Sequence, residues 1–152
     1  MTEITKHTKN PNYFYSLVSK NNIFEWEFCI IGPPDSLYEH GIFKGVILFP
    51  DNYPIRPPKV KFLCNMYHPN IYLNGELCIS ILHEGVDQFG YESKAERWNP
   101  SHGVDSIMLS ILTLLSEPNF ESPANVEIAK LFRENNELYK KKIYDLVLKT
   151  HY

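Results

Sequence analysis

The chain has no Cys-x-x-Cys spacing among its 3 cysteines, Cys29, Cys64 and Cys78, which argues against zinc-ribbon and thioredoxin-type chemistry. Three cysteines cannot all pair within one chain, and a reducing, cytoplasmic compartment suits them best. There is no basic excess: 15 Lys and Arg face 18 Asp and Glu, for a net charge of -3. The electrostatic footprint of a nucleic-acid partner is therefore missing. No apolar run approaches a membrane span, and the polar N-terminus lacks the apolar core of a signal peptide. Any membrane association is expected to come through a partner. The one candidate glycosylation acceptor, Asn99-Pro100-Ser101, is disqualified by its central proline.

What is present points to one folded domain over residues 1–152. Hydrophobic content of 43% and charged content of 22% are ordinary for a globular chain, which at this length buries roughly 70% of its unfolded surface. Residues 1–22 are polar and interrupted by Asn10-Pro11-Asn12, with a weak helical tendency ahead of the proline. From Ile23 to Ile31 apolar and charged residues alternate with strand periodicity, and Gly32-Pro33-Pro34-Asp35-Ser36 ends that strand. Ile42–Phe49 and Val60–Leu63 are two further short apolar runs separated by Pro50–Pro58. The three read as an antiparallel meander.

The second half changes period. Val104, Ile107, Met108, Ile111, Leu112 and Leu115 fall on one helical face, and Glu117-Pro118-Asn119 stops that helix. Ser122-Pro123 predicts the next helix start, with a hydroxyl cap before proline at the first helical position. The remainder, to about Thr150, predicts one or two helices with a break near Asn135-Asn136. Strands first and helices after make an α+β domain.

The stretch from Tyr67 to Leu82 carries the chemistry. Cys78 follows a His68-Pro69-Asn70 turn and an Asn74-Gly75 tight turn. Free cysteine is commonly a small buried apolar residue, and Cys29 and Cys64 are read that way. Two turns around Cys78 point instead to a presented thiol. A cysteine thiolate suits acyl transfer because its thioester stays reactive toward amines. His68, fixed by Pro69, reads better as an imidazole bonding backbone within the turn than as a hydrolase base. The Asn70 amide has two readings, as an oxyanion donor or as a turn residue bonding nearby backbone.

His68-Pro69-Asn70 with Cys78 eight positions after Asn70 resembles the active-site pattern of the ubiquitin-conjugating enzyme family. Tyr53-Pro54-Ile55-Arg56-Pro57-Pro58-Lys59-Val60-Lys61-Phe62 resembles the preceding proline loop and strand. Trp98-Asn99-Pro100 and Glu117-Pro118-Asn119 match later landmarks, so the likeness runs from about residue 23 to the C-terminus. The resemblance implies a four-stranded antiparallel meander flanked by helices. It implies that ubiquitin, arriving from the ubiquitin-activating enzyme, is held on Cys78 as a thioester. A lysine of a protein substrate or of ubiquitin then takes it, with a RING-type ligase holding both parties. No metal or organic cofactor is implied, since ATP is consumed upstream by the activating enzyme. A monomer is the family's usual state.

The resemblance also assigns roles. Asn70 takes the oxyanion-stabilising or loop-ordering part, with His68 beside it in the motif. Tyr72 helps line the path of the incoming lysine, and Glu121 is the carboxylate available to assist its deprotonation. Phe62 and Pro100 occupy ligase-contacting positions, with ordinary loop packing as the other reading. Residues 83–97 form an insertion carrying Glu84, Asp87, Glu92 and Glu96. It resembles the acidic-loop branch associated with endoplasmic-reticulum-linked degradation. Those carboxylates either orient a lysine ammonium beside the thioester or belong to a solvated loop covering the site. Only Thr2–Lys9 precede Asn10-Pro11, so the family's N-terminal helix is expected to be short or missing. Three other readings stay open: a non-catalytic ubiquitin-conjugating-like scaffold, conjugation of another ubiquitin-like modifier, and a cysteine hydrolase, which requires a histidine close to Cys78.

Overall fold

Alternation of side chains builds the sheet. In the computed structural model, which describes residues 10–84 and 97–151, β1 (Tyr13–Ser19), β2 (Asn22–Ile31), β3 (Ile42–Leu48) and β4 (Lys59–Phe62) pair in chain order, each antiparallel to the last. Trp26, Phe28 and Ile30 of β2 point into the core while Glu25 and Glu27 point away, as a period of two requires. The meander expected from the resemblance is therefore present.

β1 corrects the reading of residues 1–22 as polar with weak helical tendency. Tyr13-Phe14-Tyr15-Ser16-Leu17-Val18 is aromatic and branched enough for a strand. Tyr13 is buried, with Tyr15 and Leu17 packed against the core. The Ser19–Asn22 pairing closes a two-residue hairpin at Lys20-Asn21. The call of a short or missing N-terminal helix falls on residues 1–9, outside the described residues.

Helix α1 (Val104–Ser116) follows the predicted stripe: Val104, Ile107, Met108, Ile111, Leu112 and Leu115 are all buried. One cluster joins them to Trp26, Phe28, Ile30, Ile47 and Val60 of the sheet. The Tyr13 and Tyr15 hydroxyls both donate to Asp105 in the first turn of α1, at 2.9 and 3.2 Å, tying the sheet's first strand to the helix.

α2 (Val126–Glu134) begins at Val126, later than Ser122-Pro123 suggested. Its cap is Asn125, whose side chain accepts the Ile128 N–H at 3.2 Å and whose own N–H donates to the Pro69 carbonyl at 2.9 Å. That second bond holds the entry to the helix against the His68 turn, so residues 117–125 form an irregular segment between α1 and α2. α3 (Asn136–Lys149) begins where the break was expected. Asn135 ends α2 through its N–H to the Leu131 carbonyl and caps α3 by accepting the Leu138 N–H.

Candidate active site

Downstream of β4 the chain turns at His68-Pro69-Asn70 and folds back on itself. The Cys78 N–H donates to the Asn70 carbonyl at 3.0 Å, Ile71 bridges Leu77, and the Tyr72 N–H donates to Glu76 at 2.9 Å. This small hairpin is sewn to β4: the Phe62 N–H donates to Gly75 at 2.9 Å and the Leu77 N–H to Val60 at 3.1 Å. Gly75 has φ +93°, and a Cβ there would lie 2.3 Å from the Phe62 carbonyl oxygen. Both the conformation and the close approach require glycine. The two turns seen in the sequence are the two ends of the hairpin that carries Cys78.

His68 is fully buried. Its Nδ1 accepts the Asn70 N–H at 3.0 Å, so the proton sits on Nε2, which donates to the Leu114 carbonyl at 3.0 Å. Burial lowers its pKa to about 4, against the weaker opposing pull of the Leu114 carbonyl. With both ring nitrogens bonded to backbone, His68 is a structural tie between turn and helix.

Asn70 is 2% exposed. Its Nδ2–H donates to the Asn119 carbonyl at 2.7 Å and its Oδ1 accepts the Asn119 N–H at 2.9 Å. The pair fastens the hairpin to the segment after α1. An amide nitrogen carries two N–H donors, and the second is not used in this clamp.

Cys78 is half-buried and not in a disulfide. Its thiol faces a groove of about 510 Å³, lined also by Asn70, Ser80, His83, Leu109, Thr113, Asn119 and Ser122. The Tyr72 phenol lies beside Cys78, whose proximity pushes the Tyr72 pKa up. Cys29 and Cys64 contrast with it: burial raises the pKa of both thiols, as expected of packing residues. Glu121 is exposed, its N–H donating to Asn119 Oδ1 at 3.0 Å. The carboxylate lining the groove is Glu117, at the end of α1. Glu117 and His83 are site residues that sequence reasoning passed over. His83 lies five positions after Cys78, a signal that was legible.

The family model for ubiquitin-conjugating enzymes matches residues 1–147. The chain is 51% identical over 151 residues to ubiquitin-conjugating enzyme E2 7 of Arabidopsis thaliana, covering 99% of this chain and 90% of the relative. It is 50% identical to ubiquitin-conjugating enzyme E2 15 of Schizosaccharomyces pombe over 145 residues, covering 93% and 87%. Ubiquitin-conjugating enzyme E2 G2 of Homo sapiens is 45% identical over 153 residues, covering 99% and 93%. The chain belongs to the ubiquitin-conjugating enzyme family. Its general partners are those of that family: ubiquitin, an activating enzyme and a ligase.

Two surfaces of this ubiquitin-conjugating enzyme remain to be placed. The acidic insertion leaves the fold at a closed neck: the Trp98 N–H donates to His83 at 3.0 Å, and the Arg97 guanidinium donates to the Glu84 carbonyl. Glu84 is exposed, 3.9 Å from Arg56; Asp87, Glu92 and Glu96 lie outside the described residues. Phe62 does not reach a ligase surface. It is the last residue of β4, 1% exposed and packed edge-on against Phe28. The strand's alternation points it inward. Pro100 is exposed as expected, and the exposed apolar residue near it is Ile55, at 69%. The Trp98 indole N–H donates to the Pro54 carbonyl at 3.0 Å, which holds these two loops together. Among the described residues no helix is long and apolar enough to cross a membrane, and no group of three or more His, Cys, Asp or Glu is placed to hold a metal ion.

Proposed function

We propose that Cys78 carries ubiquitin as a thioester. The carrying observation is a half-buried thiol on a hairpin clamped by Asn70 and Asn119, opening on a groove beside α1. In loading, the Cys78 thiolate attacks the thioester carbonyl on the activating enzyme; a C–S bond forms and the enzyme's thiolate leaves. In transfer, a lysine amine attacks, the isopeptide C–N bond forms, the C–S bond to Cys78 breaks, and the amine proton passes to water or a rim carboxylate. Glu117 lines that groove, and Glu121 stands between Asn119 and Ser122, which line it too. The groove suits the extended C-terminal tail that a thioester on Cys78 must lay down. Tyr72, beside Cys78, lines the path of the incoming lysine in this reading.

His68 acts in this scheme by holding the turn and Asn70 by holding the loop, its second N–H remaining for a developing oxyanion. Ligase docking falls to Ile55 and Pro100, and a RING-type surface is the expected partner. The insertion's carboxylates orient the lysine. The family's usual state supports work as a monomer, and the insertion's likeness to the branch linked with endoplasmic-reticulum degradation supports work in the cytoplasm, with recruitment to that membrane by a partner. Neither metal nor organic cofactor enters.

The test is a charging reaction with activating enzyme, ATP and ubiquitin, resolved with and without reductant. A reductant-sensitive adduct that Cys78→Ala abolishes, and that Cys78→Ser turns into a reductant-stable ester, is expected. No adduct from a folded protein would favour the scaffold reading. Rapid loss of the thioester to water, abolished by His83→Ala, would favour hydrolysis.

A further inference from the structure

The loop between β2 and β3, residues 32–41, is built around one side chain. The Gly32 N–H donates to the Gly41 carbonyl at 2.9 Å and closes the loop, and the Gly41 N–H donates to the Tyr38 carbonyl at 3.0 Å. A Cβ on Gly32 would lie 1.7 Å from the Tyr38 carbonyl oxygen, so only glycine admits so close a crossing. The end of α3 holds the loop from outside. The His151 ring donates to the His40 carbonyl at 2.6 Å, and the Ile42 N–H donates to the Thr150 hydroxyl at 3.0 Å. Tyr38 itself is fully buried, although it stands on a loop.

The Tyr38 ring packs edge-on against Phe43, which a phenylalanine would do equally well. Its hydroxyl does something more, donating to the Tyr67 carbonyl at 2.5 Å. Burying a hydroxyl costs stability unless it is bonded, and this one is spent on main chain 29 residues away. Burial pushes its pKa well above 10, so the proton stays on the oxygen and the group remains a donor. No main-chain N–H of the described residues reaches the Tyr67 carbonyl. Tyr67 immediately precedes His68, and the Tyr38 ring also lies against the His68 ring, with centroids 5.6 Å apart. His68 Nδ1 in turn accepts the Asn70 N–H at 3.0 Å. Tyr38 thus touches the turn twice, at the peptide entering it and at the imidazole within it. It does not line the groove of Cys78, so any effect on the reaction passes through the turn.

We propose that Tyr38 is a positioning residue for transfer, its hydroxyl setting the Tyr67–His68 peptide and thereby the direction of the Asn70 amide toward a thioester on Cys78. The proposal rests on the readings of Cys78 as carrier and of the second Asn70 N–H as oxyanion donor.

Tyr38→Phe removes the hydroxyl alone, and the loss of one hydrogen bond leaves the fold intact. Ile107→Val, a buried loss about two turns before Leu114 on α1, measures what lost packing does by itself. Each is made in the full chain and compared with wild type for denaturant midpoint, loading of Cys78 and single-turnover discharge to free lysine. Asn70→Ala and the Tyr38→Phe, Asn70→Ala pair are run alongside. Tyr38→Phe is expected to load normally and to discharge about ten-fold more slowly, since misplacement by a whole ångström costs about 100-fold. The loss should lie in the maximal rate, with the half-saturating lysine concentration unchanged. Ile107→Val should discharge like wild type. In the Asn70→Ala background the hydroxyl should make no further difference to discharge, as expected of a group acting through that amide. Wild-type discharge by Tyr38→Phe, an equal loss in Ile107→Val, or the same fold-loss repeated in the Asn70→Ala background would each overturn the proposal. Normal discharge by Asn70→Ala would overturn the oxyanion reading, and absence of wild-type loading the carrier reading; either takes this proposal with it.

Discussion

Asn70 grips the main chain of Asn119 from both sides, donating to its carbonyl at 2.7 Å and accepting its N–H at 2.9 Å. One side chain thereby joins the hairpin that presents Cys78 to the segment that lines the opposite wall of its groove. Loop ordering and oxyanion stabilisation are thus compatible uses of the same amide, because the two N–H protons on Nδ2 point differently.

Asn70→Ala is expected to lower stability by about 2 kcal/mol, since it leaves the Asn119 N–H and carbonyl unpaired in a half-buried place. Transfer to lysine should slow more than loading. Denaturant unfolding alongside the two rates checks this. Slow transfer with unchanged stability would return the amide to the oxyanion role alone.

His68 makes stability depend on acid. Its imidazole is neutral in the fold down to about pH 4 but takes a proton near 6.5 when unfolded. The stability this adds is complete above pH 6.5 and is lost as pH falls from there through about 4. The full loss amounts to about 3 kcal/mol. Denaturant midpoints measured between pH 7 and 4 should fall accordingly, and His68→Gln should show a shallower fall. An identical slope in the variant would place the acid sensitivity elsewhere.

Phe62 and Ile55 should separate packing from docking. Phe62→Ala is expected to cost about 3–5 kcal/mol through a cavity against Phe28. Ile55→Ala should leave stability within about 0.5 kcal/mol and weaken ligase binding about ten-fold. Calorimetry and a ligase titration on each variant make the comparison. A binding defect for Phe62→Ala at full stability would reverse the assignment.

Removing residues 85–96 should spare loading, because the neck at His83 and Trp98 closes without them. Chain formation should change in rate or linkage. A collapse of loading would show that the insertion supports the site instead of steering the acceptor.

The periodic elements were legible in the amino-acid sequence because burial repeats with the geometry of the element. The α1 stripe from Val104 to Leu115 and the alternation around Trp26 both read directly. Cys78 after its two turns was legible for the same local reason, since His68-Pro69-Asn70 and Asn74-Gly75 restrict their own backbone. β1 was not legible because Tyr13–Ser19 has no clean alternation of apolar and polar residues of its own and becomes a strand by pairing with β2 and packing Tyr13, Tyr15 and Leu17 on the core. Phe62 was misplaced because its direction depends on the register of β4, where one residue's difference sends a side chain to the other face.

The sequence by itself determined which residues could carry chemistry and which local turns would present them, because those preferences reside in each residue's own backbone and side chain. Only the tertiary structure decided what those residues do to one another. The grip of Asn70 on Asn119, the neutral state of His68 and the place of Glu117 in the groove all join segments far apart in the chain. Such contacts follow from how the helices settle on the sheet, and no local preference encodes them.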